Sequence, residues 1–241
     1  GSFNVTVVDS TAPELSLPAD ITAEATGADG AVVTYTATAT DLIDGTVPVS
    51  CVPASGAIFA VGSTAVSCSA TDAAGNNASG SFDVTVTDST APDLSLPADI
   101  TAEATGAAGA VVNYTATATD LIDGTVTVSC APASGATFAV GSTAVTCSAS
   151  DAAGNSTSGS FNVTVTDSTA PALNLPADVT AEATGAGGAV VTYTATATDL
   201  IDGTVPVNCT PASGATFAVP STAETCSSTD AAGNTASGSF N

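Results

Sequence analysis

The chain has 241 residues, of which 23 are Asp or Glu and none is Lys, Arg or His, giving a formal net charge of −23. It has no side chain to neutralise nucleic-acid phosphates, and the usual means of activating a nucleophile are missing, so nucleic-acid binding and most catalysis are excluded. It is still no disordered acidic tail, because 44% of its residues are hydrophobic, 10% are charged, and the apolar residues alternate with Thr and Ser.

In chain order, residues 1–9 (GSFNVTVVD) read as the last strand of a preceding repeat. Strands are then expected at 14–17 and 20–26 and in a long segment around Tyr35. In that segment Val33, Tyr35, Ala37 and Ala39 share one face, and Thr34, Thr36, Thr38 and Thr40 share the other. Further strands follow at 46–51, 57–61 and 63–71. In the closing strand Phe82, Val84 and Val86 face inward, while Ser81, Asp83, Thr85 and Thr87 face outward. A period of two is the pattern of a half-buried strand, and TGADG, DLIDG, PASG and DAAGN supply the turns. Seven short strands in about 79 residues predict an all-β, antiparallel sandwich. No segment has helical periodicity or the run of about 18 apolar residues that a membrane helix needs, and the N-terminus does not read as a signal peptide, so any export signal is expected outside this segment.

The whole pattern recurs. Cysteine pairs stand at Cys51/Cys68, Cys130/Cys147 and Cys209/Cys226, and Pro13, Pro92 and Pro171 keep the same step of 79. The expected domains are residues 10–88, 89–167 and 168–241, the third lacking the end of its last strand. GSFN at 1–4 and again at 238–241 suggests a window onto a longer repeating polymer.

Each repeat runs through an Asp-x-x-x-Pro linker, LPADITAEAT or a close variant, an ATD-x-x-DG turn and a Cys before PASGA-x-FAV. A second Cys, DAAGN and a final SF strand complete it. This order and spacing resembles the hyalin repeat, or HYR domain, across all three units. The resemblance implies tandem immunoglobulin-like sandwiches in an extracellular or cell-surface protein, with no catalytic residue. The third unit departs from the pattern: Pro220 replaces Gly62 and Gly141, and Glu224 replaces Val66 and Val145. Parity with Cys226 points Glu224 inward, so either that unit is rearranged locally or Glu224 sits at the rim; an unpaired buried carboxylate is costly.

Two cysteines per repeat at constant positions argue for one disulfide each, in an oxidising compartment, worth roughly 3 kcal/mol in the chain-entropy model. Six cysteines allow 15 pairings in principle, and the repeat favours Cys51–Cys68, Cys130–Cys147 and Cys209–Cys226. Two cysteines without histidine do not make a usual zinc site.

In an immunoglobulin-like topology the DLIDG and DAAGN turns meet at the pole that faces the linker. That pole would gather Asp9, Asp41, Asp44 and Asp72 in the first repeat, Asp88, Asp120, Asp123 and Asp151 in the second, and Asp167, Asp199, Asp202 and Asp230 in the third. Glu24 and Glu103 would approach from the preceding repeat. Carboxylates converging without a protein cation are hard oxygen ligands of the kind Ca²⁺ takes. The competing reading is that Asp before Gly merely forms solvated turns. The DST triplets resemble bacterial O-glycosylation acceptors and nominate Ser10, Thr11, Ser89, Thr90, Ser168 and Thr169.

The expected function is a structural segment of an extracellular filament or surface fibre, in a biofilm matrix, sheath or appendage. It would self-associate by covalent tandem continuation or by strand addition. The alternative is an adhesin stalk that binds carbohydrate or another surface. A stalk stays single in solution, whereas a filament protein bundles.

Overall fold

A computed structural model describes residues 1–241, all of them strand, turn or extended chain without a helix. The chain divides into two compact units, residues 1–95, 117–128 and 148–158 in one and residues 96–116, 129–147 and 159–241 in the other.

The first unit contains one whole repeat of nine strands: β1 (Glu14–Ser16), β2 (Ile21–Glu24), β3 (Ala31–Val32), β4 (Thr38–Asp41), β5 (Gly45–Val47), β6 (Val49–Val52), β7 (Ile58–Phe59), β8 (Gly62–Thr71) and β9 (Asn77–Thr87). They form a sheet in the order β1-β4-β5, a second in the order β2-β9-β8-β6, and the small pair β3-β7. The sheets enclose Phe59, Val66, Cys68, Phe82, Val84 and Val86, of which the last three are the inward set expected for the closing strand. Tyr35 meets Phe82 edge to face at 4.9 Å and donates its hydroxyl to the Pro53 carbonyl. Gly30 has a φ of +102°, and a Cβ there would lie 1.9 Å from the Phe59 carbonyl oxygen, so only glycine lets this loop pass.

Two of the seven expected strands are divided. The segment around Tyr35 separates into β3 and β4, because between them the Ser55 hydroxyl takes the place of a backbone partner. It accepts from Tyr35 N at 2.9 Å and donates to Tyr35 O at 2.8 Å. The expected strand at 46–51 splits at Pro48, where the chain leaves the sheet of β4 for that of β8. The second repeat breaks at Thr127 in the same way, so the change of sheet and not the proline sets the break. One pairing is parallel: β2 lies beside β9 in the register Ile21↔Val84 and Ala23↔Val86. Alternation reads the same for either strand direction, so the sequence does not reveal this. The same unit holds β10 (Asp93–Ser95) with strands Thr117–Asp120 and Gly124–Val126, the counterparts of β1, β4 and β5.

In the second unit Ile100–Glu103 pairs in parallel with residues 163–166, as β2 does with β9. The third repeat keeps most of the plan, but its residues 179–182, the match to β2, form no strand, and the match to β8 begins only at Glu224. Disulfides join Cys51 to Cys68, Cys130 to Cys147 and Cys209 to Cys226, each bridging neighbouring strands, with no free cysteine left. In a core of Val and Ala, such staples supply stability that small side chains do not.

Glu224 does point inward, as its parity with Cys226 requires, and is only 1% exposed. One carboxylate oxygen accepts the Tyr193 hydroxyl at 2.6 Å; the other is buried without a partner.

Candidate functional site

The acidic turn is built from local hydrogen bonding. Asp41 ends β4, and its Oδ1 accepts from the N–H groups of Ile43 at 2.7 Å and Asp44 at 3.0 Å, a turn that Asp forms readily. Asp44 Oδ2 accepts from Ala73 N at 2.8 Å, tying the DLIDG turn to DAAGN. From the linker, Asp9 Oδ1 accepts from Thr11 N at 3.1 Å. The Oδ2 atoms of Asp9 and Asp41 are left buried with no partner.

The arrangement occurs three times. Carboxylate oxygens of Asp9, Asp41 and Asp44 lie within 4.8 Å of one another, as do those of Asp88, Asp120 and Asp123 and those of Asp167, Asp199 and Asp202. Asp120 and Asp199 repeat the orphaned buried Oδ2, each residue being only 8% exposed.

Asp72, Asp151 and Asp230 stand outside the trios. Asp72 accepts from Asn76 N and from Asn76 Nδ2, both at 2.7 Å. Asn155 and Asn234, held in the same way by Asp151 and Asp230, donate Nδ2 to the backbone carbonyls of Asp88 at 3.2 Å and Asp167 at 3.1 Å. These aspartates orient an asparagine that fastens the linker.

Glu24 and Glu103 also fasten linkers. Glu24 accepts from Ser89 N at 2.7 Å, Ser89 Oγ at 2.8 Å and Thr90 Oγ1 at 3.2 Å. Glu103 accepts from Ser168 N at 2.7 Å and Thr169 Oγ1 at 3.3 Å. The nominated glycosylation residues Ser89, Thr90, Ser168 and Thr169 are thus partners of these glutamates, and they are exposed like Ser10 and Thr11. The sequence reading missed this latch; its signal is a Ser-Thr pair following the linker Asp at a fixed distance from a Glu.

The electrostatics follow from these contacts. The Ser89 and Ser168 N–H groups hold Glu24 and Glu103 below the usual carboxylate range. The N–H groups of Asp123 and Ile122 lower Asp120, and those of Asp202 and Ile201 lower Asp199. Asp88 is pushed up, first by burial and then by the charges of Asp120, Asp151 and Glu24; Asp167 is raised in the same way. Each of these two trios therefore holds an ionised turn aspartate against a linker aspartate that resists ionisation.

Glu224 also comes close to Cys209 and Cys226. Those sulfurs form a disulfide, so no thiolate is present to bind a metal.

Residues 8–86, 87–165 and 166–241 each match the HYR domain. The chain belongs to the HYR domain family. Hyalin of Lytechinus variegatus is 34% identical over 189 residues, covering 73% of this chain and 36% of that protein. Hyalin of Strongylocentrotus purpuratus is 35% identical over 248 residues, covering 98% of this chain and 21% of that protein. This HYR chain thus spans about a third of the first relative and a fifth of the second. Among solved structures, mouse cadherin-23 EC22-24 matches with a TM-score of 0.37 at 14% identity, covering 95% of this chain and 96% of that one. The titin domains z1z2 in complex with telethonin match with a TM-score of 0.41 at 13% identity, over 67% of this chain and 100% of that one. As an HYR protein related to the hyalins, it is extracellular or at the cell surface, and its three disulfides suit an oxidising compartment.

Proposed function

We propose that this chain is a non-catalytic structural segment of an extracellular filament or surface fibre. Its repeating units run from 10 to 88, 89 to 167 and 168 to 241, and Ca²⁺ binds at the start of each. Covalent tandem continuation or strand addition carries the repeat beyond one segment.

The observation that supports the metal is the orphaned Oδ2 of Asp41, Asp120 and Asp199, buried at the same place in every repeat. Burying an ionised oxygen with no donor is costly, and the chain has no Lys, Arg or His to offset it. Carboxylates of Asp9, Asp41 and Asp44, and of their counterparts, would hold the ion. Hard oxygens in a flexible arrangement suit Ca²⁺ better than Mg²⁺, which keeps more of its water. A bound divalent ion would offset most of the trio's charge and fix the linker aspartate to the turn of the following repeat.

Titration calorimetry on the metal-stripped 241-residue chain tests the reading. Binding of three Ca²⁺ per chain, with a melting temperature that rises with Ca²⁺ and falls with chelator, is the expected result. Absence of both heat and thermal shift would make the trios solvated turns and leave the disulfides and linker latches to stiffen the fibre.

A further inference from the structure

The third repeat differs from the others inside its core. Along the strand Glu224–Thr229 every second residue points inward, and Glu224, Cys226 and Ser228 are each 1% exposed. The first repeat buries Val66, Cys68 and Ala70 at these positions, and the second buries Val145, Cys147 and Ala149. Two apolar side chains have thus become polar, one on either side of a cysteine.

Only one of the two is fully bonded. Ser228 Oγ donates to the Pro206 carbonyl at 2.9 Å. Glu224 Oε1 accepts the Tyr193 hydroxyl at 2.6 Å, whereas Oε2 is buried with no partner. Such an oxygen is costly, and the chain has no Lys, Arg or His to face it.

Beside this carboxylate lies the crosslink. Cys209, in the strand Val207–Thr210, stands directly opposite Cys226. A carboxylate oxygen of Glu224 and the two sulfurs all lie within 4.8 Å of one another. As a disulfide, the sulfurs bring the carboxylate neither positive charge nor a donor hydrogen. Reduced, they are two soft ligands on facing strands next to a hard one that a phenol already orients. Thiolates favour Zn²⁺, and three protein ligands with a fourth position open is an arrangement zinc commonly takes. Tyr193 supplies the outer hydrogen bond that fixes a ligating carboxylate. In the first two repeats valine stands in place of the third ligand, and two thiolates alone make no usual site.

We infer that the third repeat holds a redox-gated metal site, in which Cys209, Cys226 and Glu224 bind Zn²⁺ once their disulfide is reduced. The reductant is a dithiol. It gives two electrons and two protons, the bond between the two sulfurs breaks to leave two thiols, and the dithiol departs as its own disulfide. Zn²⁺ then displaces both thiol protons to solvent. The ion takes over the tie between the two strands, and the carboxylate gains the cation that the sequence denies it. Reoxidation returns the crosslink and releases the metal. The site is separate from the aspartate trios, whose all-oxygen ligands suit a different ion.

The test reduces the 241-residue chain with dithiothreitol, removes the reductant without admitting oxygen, and titrates in Co²⁺ as a spectroscopic substitute for Zn²⁺, with excess Ca²⁺ present. The expected result is one thiolate-bound Co²⁺ per chain, seen as sulfur-to-cobalt charge transfer with the visible bands of a tetrahedral ion, displaced by Zn²⁺ and absent before reduction. Alkylation read by mass spectrometry should find Cys209 and Cys226 protected by Zn²⁺ and the other cysteines unprotected. Tyr193→Phe should weaken binding by about tenfold. Glu224→Val, which restores the residue of the other repeats and so should fold, should lose the tetrahedral signal. Equal charge transfer in Glu224→Val, protection shared by all the cysteines, or no thiolate-bound metal in the reduced chain overturns the site. A chain that unfolds on reduction would show one of the last two results and overturn it as well.

Discussion

Tyr193 and Glu224 share a short hydrogen bond inside the third repeat, 2.6 Å from phenol to carboxylate, at a level where the other repeats carry valine. The pair satisfies one carboxylate oxygen and leaves the second buried with nothing to bond. Glu224→Val should therefore stabilise the third repeat by about 1–3 kcal/mol, read as a higher denaturant midpoint. Tyr193→Phe should have the opposite effect, since it removes the only donor.

The same pair sets an alkaline limit. Tyr193 is pushed up to about 12 by burial and by Glu224, and burial raises Tyr35 and Tyr114 as well. The folded state thus prefers the neutral phenol. This contribution is complete below the ordinary tyrosine range near 10 and is lost as pH rises through the folded value. Ultraviolet absorbance should show tyrosine ionisation delayed beyond about pH 10 and coincident with loss of structure.

Asp120→Asn keeps the Oδ1 acceptor on which its turn depends and removes the charge at the orphaned Oδ2. Its junction should lose its Ca²⁺-dependent stabilisation, about 2.7 kcal/mol at 100 times the dissociation constant. Calorimetric stoichiometry should drop from three ions to two while folding without metal is preserved.

Acid titration without Ca²⁺ should separate two classes of carboxylate. Asp88 and Asp167 lie high, so their stabilising effect belongs to the protonated form and is lost as pH rises through their raised values. Glu24, Glu103, Asp120 and Asp199 lie low, so theirs is present above the ordinary carboxylate range and is lost as pH falls through their lowered values. Carboxyl NMR should show Asp88 and Asp167 taking up protons first, and Ca²⁺ should shift both downward.

Glu24→Ala should free the linker without unfolding either repeat. The Ser89 amide loses its acceptor, and its hydrogen exchange should speed up by about tenfold or more, while amides in β8 keep their protection.

Much of this architecture is legible in the sequence because Val84, Val86 and Phe82 alternate with polar residues, and a period of two survives any detail of pairing. The trios are legible as residue types at fixed places in a repeat. Whether β2 joins β9 in parallel is not, because strand direction leaves no trace in alternation. The break between β3 and β4 is hidden too, since it depends on one hydroxyl, Ser55, reaching across from a loop 20 residues away. Charge alone assigns Glu24 to a metal, whereas its nearest partners are Ser89 and Thr90. Composition reveals that carboxylates need compensation, and only coordinates reveal which donor arrives first.

The parallel pairing of β2 with β9 also bears on how a repeat responds to tension. The chain enters β2 at Ile21 and leaves β9 at Thr87, and the strands point the same way. A pull along the polypeptide therefore drags them past each other lengthwise, so the rungs from Ile21↔Val84 to Glu24↔Thr87 are loaded together and must fail together. Antiparallel neighbours pulled from a shared end would instead unzip rung by rung. Should the clamp slip, the Cys51–Cys68 crosslink shortens the length that one repeat can release. The first two repeats are thus built as shear joints with a covalent stop.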